Sequence, residues 1–201
     1  VKKINAIPKF YPIVDSACWV ERIVPLGVKI IQLRMKNKTP TEMISEIKKA
    51  QFICDQFDCM LVINDYWELA LELGISAIHL GFEDSQVADI PLLEKKGVTL
   101  GISTHCEEEL QWALSLQPSY VALGPIYETT LKKMRFAPQG VEKISQWRKK
   151  IPDSVPLVAI GGIKLEFAQE IYLRGAHSIA VVSDVTAHPF PEMRVKEWVR
   201  E

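Results

Sequence analysis

LVINDYWELALELGISAIHLGFED, running from Leu61 to Asp84, places two apolar runs on either side of a short helical pattern. The first run, Leu61 to Ile63, ends in Asn64-Asp65, and the second, Ala77 to Leu80, ends in Gly81-Phe82-Glu83-Asp84. Each is short and apolar enough for a strand buried on both faces of a parallel sheet. Each also stops at an acidic residue. Two carboxylates at the carboxyl ends of adjacent parallel strands stand where α/β folds build their sites. With no basic residue in the loops beside them, Asp65 and Asp84 form a hard-oxygen pair for a cation such as Mg²⁺, which keeps waters and takes further ligands from substrate phosphates. The alternative is local: Asp65 caps a helix beginning near Tyr66, and Asp84 sits in a turn. The stretch taken alone leaves both open.

Outward from this centre, strand patterns alternate with helical ones. Phe10 to Val14 reads as the first strand, and the segment Asp15 to Leu26 follows with Trp19, Val20, Ile23 and Val24 at helical spacing. Ile30 to Arg34 is the second strand, followed by a capping signal at Thr39-Pro40-Thr41-Glu42 and a helix with apolar positions at Ile44, Ile47, Ala50 and Ile53. Beyond the central stretch, Thr99 to Ser103 is the fifth strand, and an acidic helix start follows at Glu107 to Glu109. Tyr120 to Gly124, Leu157 to Gly161 and Ser178 to Val182 complete the set. Eight such alternations predict an α/β chain folded as a single-domain (β/α)₈ TIM barrel spanning 1–201, in preference to a doubly wound sheet.

Composition agrees with one substantial core: 201 residues, 48% of them apolar. The charges, 24 basic against 25 acidic, are mixed along the chain and form no footprint for nucleic acid or an anionic membrane. Cys18, Cys54, Cys59 and Cys106 have no paired spacing, so reduced thiols and a cytoplasmic setting are expected. The opening VKKINAIPKFYPIV breaks its apolar stretch at Pro8 and Lys9, reading as neither signal peptide nor membrane span.

Alternation within the strands says which side chains share a mouth. Gln32 and Arg34 fall on one face of Ile30 to Arg34, and Ile31 and Leu33 on the other. The aliphatic face suits the helices, so the polar face is expected to look inward, with Lys36 as a second cation on the rim. Ser103 and Thr104 supply two hydroxyls after the fifth strand, either for an oxyanion or for a helix cap. Pro125 to Gly140 is the longest connection, and its Thr129, Thr130, Lys132 and Lys133 suggest a lid over an anion. Gly161-Gly162 and Val182-Ser183 follow strands seven and eight, where these barrels commonly cradle phosphate.

Taken in order, Gln32-Leu33-Arg34-Met35-Lys36, Asn64-Asp65, His79 to Asp84, Gly101 to Thr104, Gly124 to Lys132, Ala159 to Ile163 and Val181-Val182-Ser183 resemble the motifs of the thiamine-phosphate synthase family. The resemblance implies a transferase that joins 4-amino-5-hydroxymethyl-2-methylpyrimidine diphosphate to a thiazole phosphate, releasing pyrophosphate with Mg²⁺ as cofactor. It places Gln32, Leu33, Arg34, Met35, Lys36, Asn64, Ser103 and Lys132 on the pyrimidine diphosphate, with Arg34, Ser103 and Lys132 catalytic. It puts Asp65 and Asp84 on the metal. It puts Thr129, Thr130, Leu131, Gly162, Val182 and Ser183 on the thiazole phosphate. His79, by this account, packs or orients rather than acting as a base.

Two positions depart from the family pattern, which usually has Gln where Phe82 stands and a second Thr where Leu131 stands. Loss of a donor to a charged oxygen typically costs roughly 1.5 to 3 kcal/mol, so the departures bear on the second substrate more than on the diphosphate. A thiazole tautomerase on the same barrel, or a non-catalytic paralogue binding a thiamine precursor, is the alternative reading. The former has little use for Arg34, Lys36 and two metal carboxylates together.

Overall fold

Strands β1 (Phe10–Val14), β2 (Ile30–Leu33), β3 (Met60–Asn64), β4 (Ala77–Leu80), β5 (Thr99–Thr104), β6 (Tyr120–Leu123), β7 (Leu157–Ile160) and β8 (Ser178–Val181) close into one parallel barrel in chain order, β8 pairing back onto β1. The structure is a computed structural model and describes residues 1–130 and 135–201. The eight strands expected from the alternation are therefore the eight observed.

Period two sorts each strand between two apolar layers. Tyr11, Ile13, Ile30, Val62, Ala77, Tyr120, Ala122, Val158 and Ala180 pack together inside the barrel. The intervening residues, among them Ile31, Leu33, Ile63, Ile78, Ile102 and Leu123, meet the surrounding helices. Ile7 closes the amino end of the bore with Ile4 against it, and the Lys2 amide donates to the Val98 carbonyl at 2.8 Å to hold that segment in place.

The helix after β2, Pro40–Gln56, starts as its sequence signalled: Thr39 Oγ1 accepts from the Glu42 amide and the Glu42 carboxylate accepts from the Thr39 amide. Its buried stripe is Met43, Ile47, Ala50 and Cys54, so Ile44 and Ile53 lie at the edge of that face. A helix the alternation did not separate, Ile90–Lys95, precedes β5. Its cue is Asp89, whose Oδ1 accepts from the Leu92 amide, followed by Pro91 in the first turn.

The C-terminal helix Pro191–Arg200 lies against β1, where Trp198 stacks on Phe10 with ring centroids 5.4 Å apart. It also carries Arg194, whose guanidinium donates to both oxygens of Asp184 at 2.9 and 3.1 Å. Asp184 Oδ2 takes further donations from Trp198 Nε1 and the Leu165 amide. That carboxylate, just beyond β8, thus ties the last helix to the barrel rim. Among the described residues no helix is long and apolar enough to cross a membrane.

Candidate active site

The carboxyl mouth of the barrel has a hydrogen-bonded polar floor. Gln32 Nε2 donates to Tyr11 Oη at 3.0 Å, and the hydroxyls of Tyr11 and Tyr120 meet at 2.7 Å. Tyr120 Oη lies 3.1 Å from His79 Nδ1, and His79 Nε2 lies 2.7 Å from Ser103 Oγ. Gly101 makes room for this chain, because a Cβ there would stand 2.0 Å from Cζ of Tyr120. Neither tyrosine was legible as a site residue in the sequence. Their only cue was a bulky polar ring on the inward phase of a strand.

Burial, reinforced by the positive charge of Arg34, holds the His79 imidazole down at about 4. Burial likewise pushes the Tyr11 and Tyr120 phenols above their ordinary value. The floor is therefore uncharged at neutral pH. In the unfolded chain His79 regains an ordinary value near 6.5, so below that pH the unfolded state binds a proton that the folded state refuses. Stability consequently falls as pH drops from 6.5 towards 4. Between pH 7 and 5 the expected loss from this residue is roughly 2 kcal/mol. Urea unfolding of the parent and His79→Gln at both pH values checks it: an equally steep pH dependence in the variant removes His79 as the cause.

Above the floor stand the residues singled out in the sequence. The Arg34 amide donates to the Val14 carbonyl at 2.8 Å, which keeps β2 in phase past Leu33 and leaves Arg34 half-buried beside Gln32. Leu33 and Met35 bury their side chains in the outer apolar layer, so whatever they offer a ligand comes from their main chain. Lys36 is exposed on the same rim. Asn64 is buried at the inward end of β3, opposite His79 in register.

Asp65 follows with φ 64°, a left-handed conformation that Asp and Asn tolerate better than most side chains, and its amide donates to the His79 carbonyl at 3.0 Å. Tyr66, not Asp65, occupies the N-cap of the helix Trp67–Glu72. Asp84 lies in the first turn of the helix Phe82–Val87, with Oδ2 3.6 Å from the point where a Gly81 Cβ would stand. Both carboxylates thus sit over the ends of neighbouring strands. Among the described residues no three His, Cys, Asp or Glu side chains converge on a point. A two-carboxylate donor set fits Mg²⁺, which relies on water and substrate oxygens for the remainder of its shell.

The two hydroxyls after β5 part company. Ser103 turns inward to His79. Thr104 points the other way, donating to the Ala122 carbonyl at 2.8 Å and accepting from Trp147 Nε1 at 3.0 Å. Its hydroxyl is buried in the outer layer, so it serves neither the oxyanion nor the helix cap that the sequence left open. Phe82 also faces outward, its ring edge-on to Trp112 at 6.4 Å.

Beside the mouth is a cleft of about 310 Å³. Thr129, Thr130, Gly162 and Ser183, which the resemblance assigns to one substrate, line it together, and Lys164 and His188, not singled out in the sequence, join them. The glycine pair has an internal reason to be there. Gly161 and Gly162 have φ of 106° and 63°, and a Cβ on Gly162 would stand 2.3 Å from the Glu128 carbonyl oxygen. They let the chain after β6 lie directly on the turn after β7, where the Ile126 and Tyr127 amides donate to Ile160 and Gly161 carbonyls at 2.9 Å. Val182 is half-buried and Ser183 exposed, at the start of the short helix Ser183–Thr186.

The returning limb of the long connection is docked on the end of β5. Gln139 Nε2 bridges the His105 and Gly124 carbonyls at 2.6 and 2.9 Å, and the Phe136 ring stacks on His105 at 4.8 Å. Glu109 in turn holds His105 through its ring Nδ1 at 2.7 Å. Leu131 and Lys132 lie outside the described residues.

Comparison with known proteins bears on this arrangement. A family model described as Thiamine monophosphate synthase matches residues 10–185. The thiamine-phosphate synthase of Rhizobium etli is 50% identical over 190 residues, 94% of this chain and 93% of that protein. The thiamine-phosphate synthase of Photorhabdus laumondii is 44% identical over 94% of this chain and 83% of its own length. The solved thiamine phosphate pyrophosphorylase from Pyrococcus furiosus superposes with a TM-score of 0.84 at 24% identity, covering 96% of this chain and 94% of its own, a likeness of fold.

Proposed function

The chain belongs to the thiamine monophosphate synthase family and is a transferase; from that premise we propose that it joins 4-amino-5-hydroxymethyl-2-methylpyrimidine diphosphate to a thiazole phosphate, giving thiamine phosphate and pyrophosphate. The observation that carries this reading is the gathering of Arg34, Asn64, Asp65, Asp84 and Ser103 at one mouth beside the cleft of Gly162 and Ser183.

The bond from the pyrimidine methylene to the diphosphate oxygen breaks first, the electron pair leaving with pyrophosphate and the electron-rich ring stabilising the cation left behind. The thiazole nitrogen then donates its pair to that methylene carbon. No protein nucleophile is required. The protein's part is to bind the leaving group as its charge grows and to align the second ring. Arg34 and Ser103 donate to diphosphate oxygens, with Lys36, Asn64 and Lys132 assigned to the same substrate. Asp65 and Asp84 would hold Mg²⁺, which when bound would supply positive charge to offset that of the pyrophosphate. The thiazole phosphate occupies the cleft. The four cysteines, all free thiols, suit a cytoplasmic setting.

Arg34→Ala is expected to lower kcat/KM for the diphosphate by about tenfold to a hundredfold, the worth of roughly 1.5 to 3 kcal/mol for one charge-assisted contact. Steady-state kinetics with each substrate varied separately measures it, and parental constants would remove Arg34 from the site. The function itself is tested by pyrophosphate release in the presence of Mg²⁺. Release that requires both substrates supports it. Release that ignores the thiazole phosphate, or none at all, rejects it.

A further inference from the structure

With the Gln32 amide nitrogen facing Tyr11, the four hydrogen bonds of the barrel floor have one direction in which every buried hydroxyl hydrogen finds an acceptor. Gln32 Nε2 can only donate, so Tyr11 Oη accepts from it and passes its own hydrogen to Tyr120 Oη, 2.7 Å away. Were Tyr120 to donate to Tyr11 instead, the Tyr11 hydrogen would be left without an acceptor in a group only 1% exposed, and buried polar hydrogens are very seldom left so. Tyr120 then donates to His79 Nδ1 at 3.1 Å. A neutral imidazole accepting at Nδ1 carries its proton on Nε2. That nitrogen donates to Ser103 Oγ at 2.7 Å.

We propose that the chain Gln32, Tyr11, Tyr120, His79 sets the Ser103 hydroxyl as a donor aimed into the mouth. With its oxygen already accepting from His79 Nε2, the Ser103 hydrogen cannot be spent on the imidazole and is available for an oxygen of the first substrate. In the opposite tautomer Ser103 would give its hydrogen to Nε2 and offer only lone pairs, which repel an anionic leaving group. Gly101 belongs to the same device, since only a residue without Cβ admits the Tyr120 ring that sets the tautomer. Tyr11, Tyr120 and His79 are positioning residues, acting through Ser103 without contact with substrate. The assignment of a substrate oxygen to Ser103 rests on the function proposed above, whereas the direction of the chain does not.

Imidazole ¹⁵N NMR of the ligand-free protein reads the direction without any activity. The expected result is His79 with a protonated Nε2 and an acceptor Nδ1, and the reverse tautomer overturns the proposal. In Tyr120→Phe, Nδ1 loses its donor, so the spectrum is expected to shift towards the Nδ1–H form. Turnover is expected to fall about tenfold, the worth of one ordinary hydrogen bond, with KM for the thiazole phosphate unchanged. Because the tyrosine acts only through the serine, Tyr120→Phe is expected to cost little or nothing further in the Ser103→Ala background, so that the double variant turns over like Ser103→Ala alone. Fully additive losses would show a purely structural role for Tyr120 and overturn the proposal. A parent protein that gives the expected tautomer yet releases no pyrophosphate would count against the proposed function alone.

Discussion

Asp65→Asn and Asp84→Asn are each expected to lower Mg²⁺-dependent turnover by about a hundredfold or more, the equivalent of several kcal/mol of charge stabilisation, while the fold stays intact. The choice of Asn follows from the backbone. Asp65 sits at φ 64°, where Asn is tolerated and Ala is strained, so Asp65→Ala would mix a conformational cost with the loss of charge. Asp84 is exposed in the first turn of its helix. Asn there forfeits only a fraction of a kcal/mol of favourable interaction with the helix dipole, typically 0.3 to 1 kcal/mol at most. Stability and activity are thereby separable. A Mg²⁺ titration of pyrophosphate release, run beside thermal unfolding, gives both. Parental turnover at every Mg²⁺ concentration would take the carboxylates out of the metal site, and a collapse in melting temperature would make the variants uninformative about chemistry and assign the residues to the fold.

Gly101→Ala is expected to destabilise the protein by about 3 kcal/mol or more, at the upper end of overpacking effects. The new methyl would stand 2.0 Å from Cζ and 2.4 Å from Oη of Tyr120. That ring has no room to move. It is fully buried, lies edge-on to Tyr11 at 6.0 Å, and is hydrogen-bonded to both Tyr11 and His79. Either the ring leaves its partners or β5 moves, and each route also disturbs Ser103. Urea unfolding measures the loss. Replacing the ring by Tyr120→Leu should absorb most of the added cost of Gly101→Ala, giving a coupling of about 1 to 3 kcal/mol between the two positions. Independent, additive effects would mean that the clash is relieved some other way.

Much of the architecture lay in local patterns. Runs such as Ile30 to Leu33 and Ala77 to Leu80 are apolar on both faces because helices cover parallel strands, and their number and alternation with helical segments specify the barrel. The capping box at Thr39 and Glu42 is a contact three residues long and was equally readable. So was the inward phase of Gln32 and Arg34, since alternation within one strand needs no partner. The positions of Asp65 and Asp84 at neighbouring strand ends follow from the same periodicity.

What alternation cannot supply is the inventory of what meets across the bore. Ser103 and Thr104 look alike in sequence, and only closure of the barrel turned one towards His79 and the other under Trp147. Tyr11 and Tyr120 are 109 residues apart and touch because strands on opposite sides of a narrow barrel share one interior layer. Gly161 and Gly162 read as a ligand cradle, yet their left-handed backbone first serves the passage of the chain after β6 across the turn after β7. Asp184 read as nothing in particular until Arg194 and Trp198 arrived from the last helix. Residue types and strand phase are properties of the chain within a few positions, whereas these contacts depend on the relative placement of elements distant in sequence, which closure of the barrel and packing of its helices alone decide.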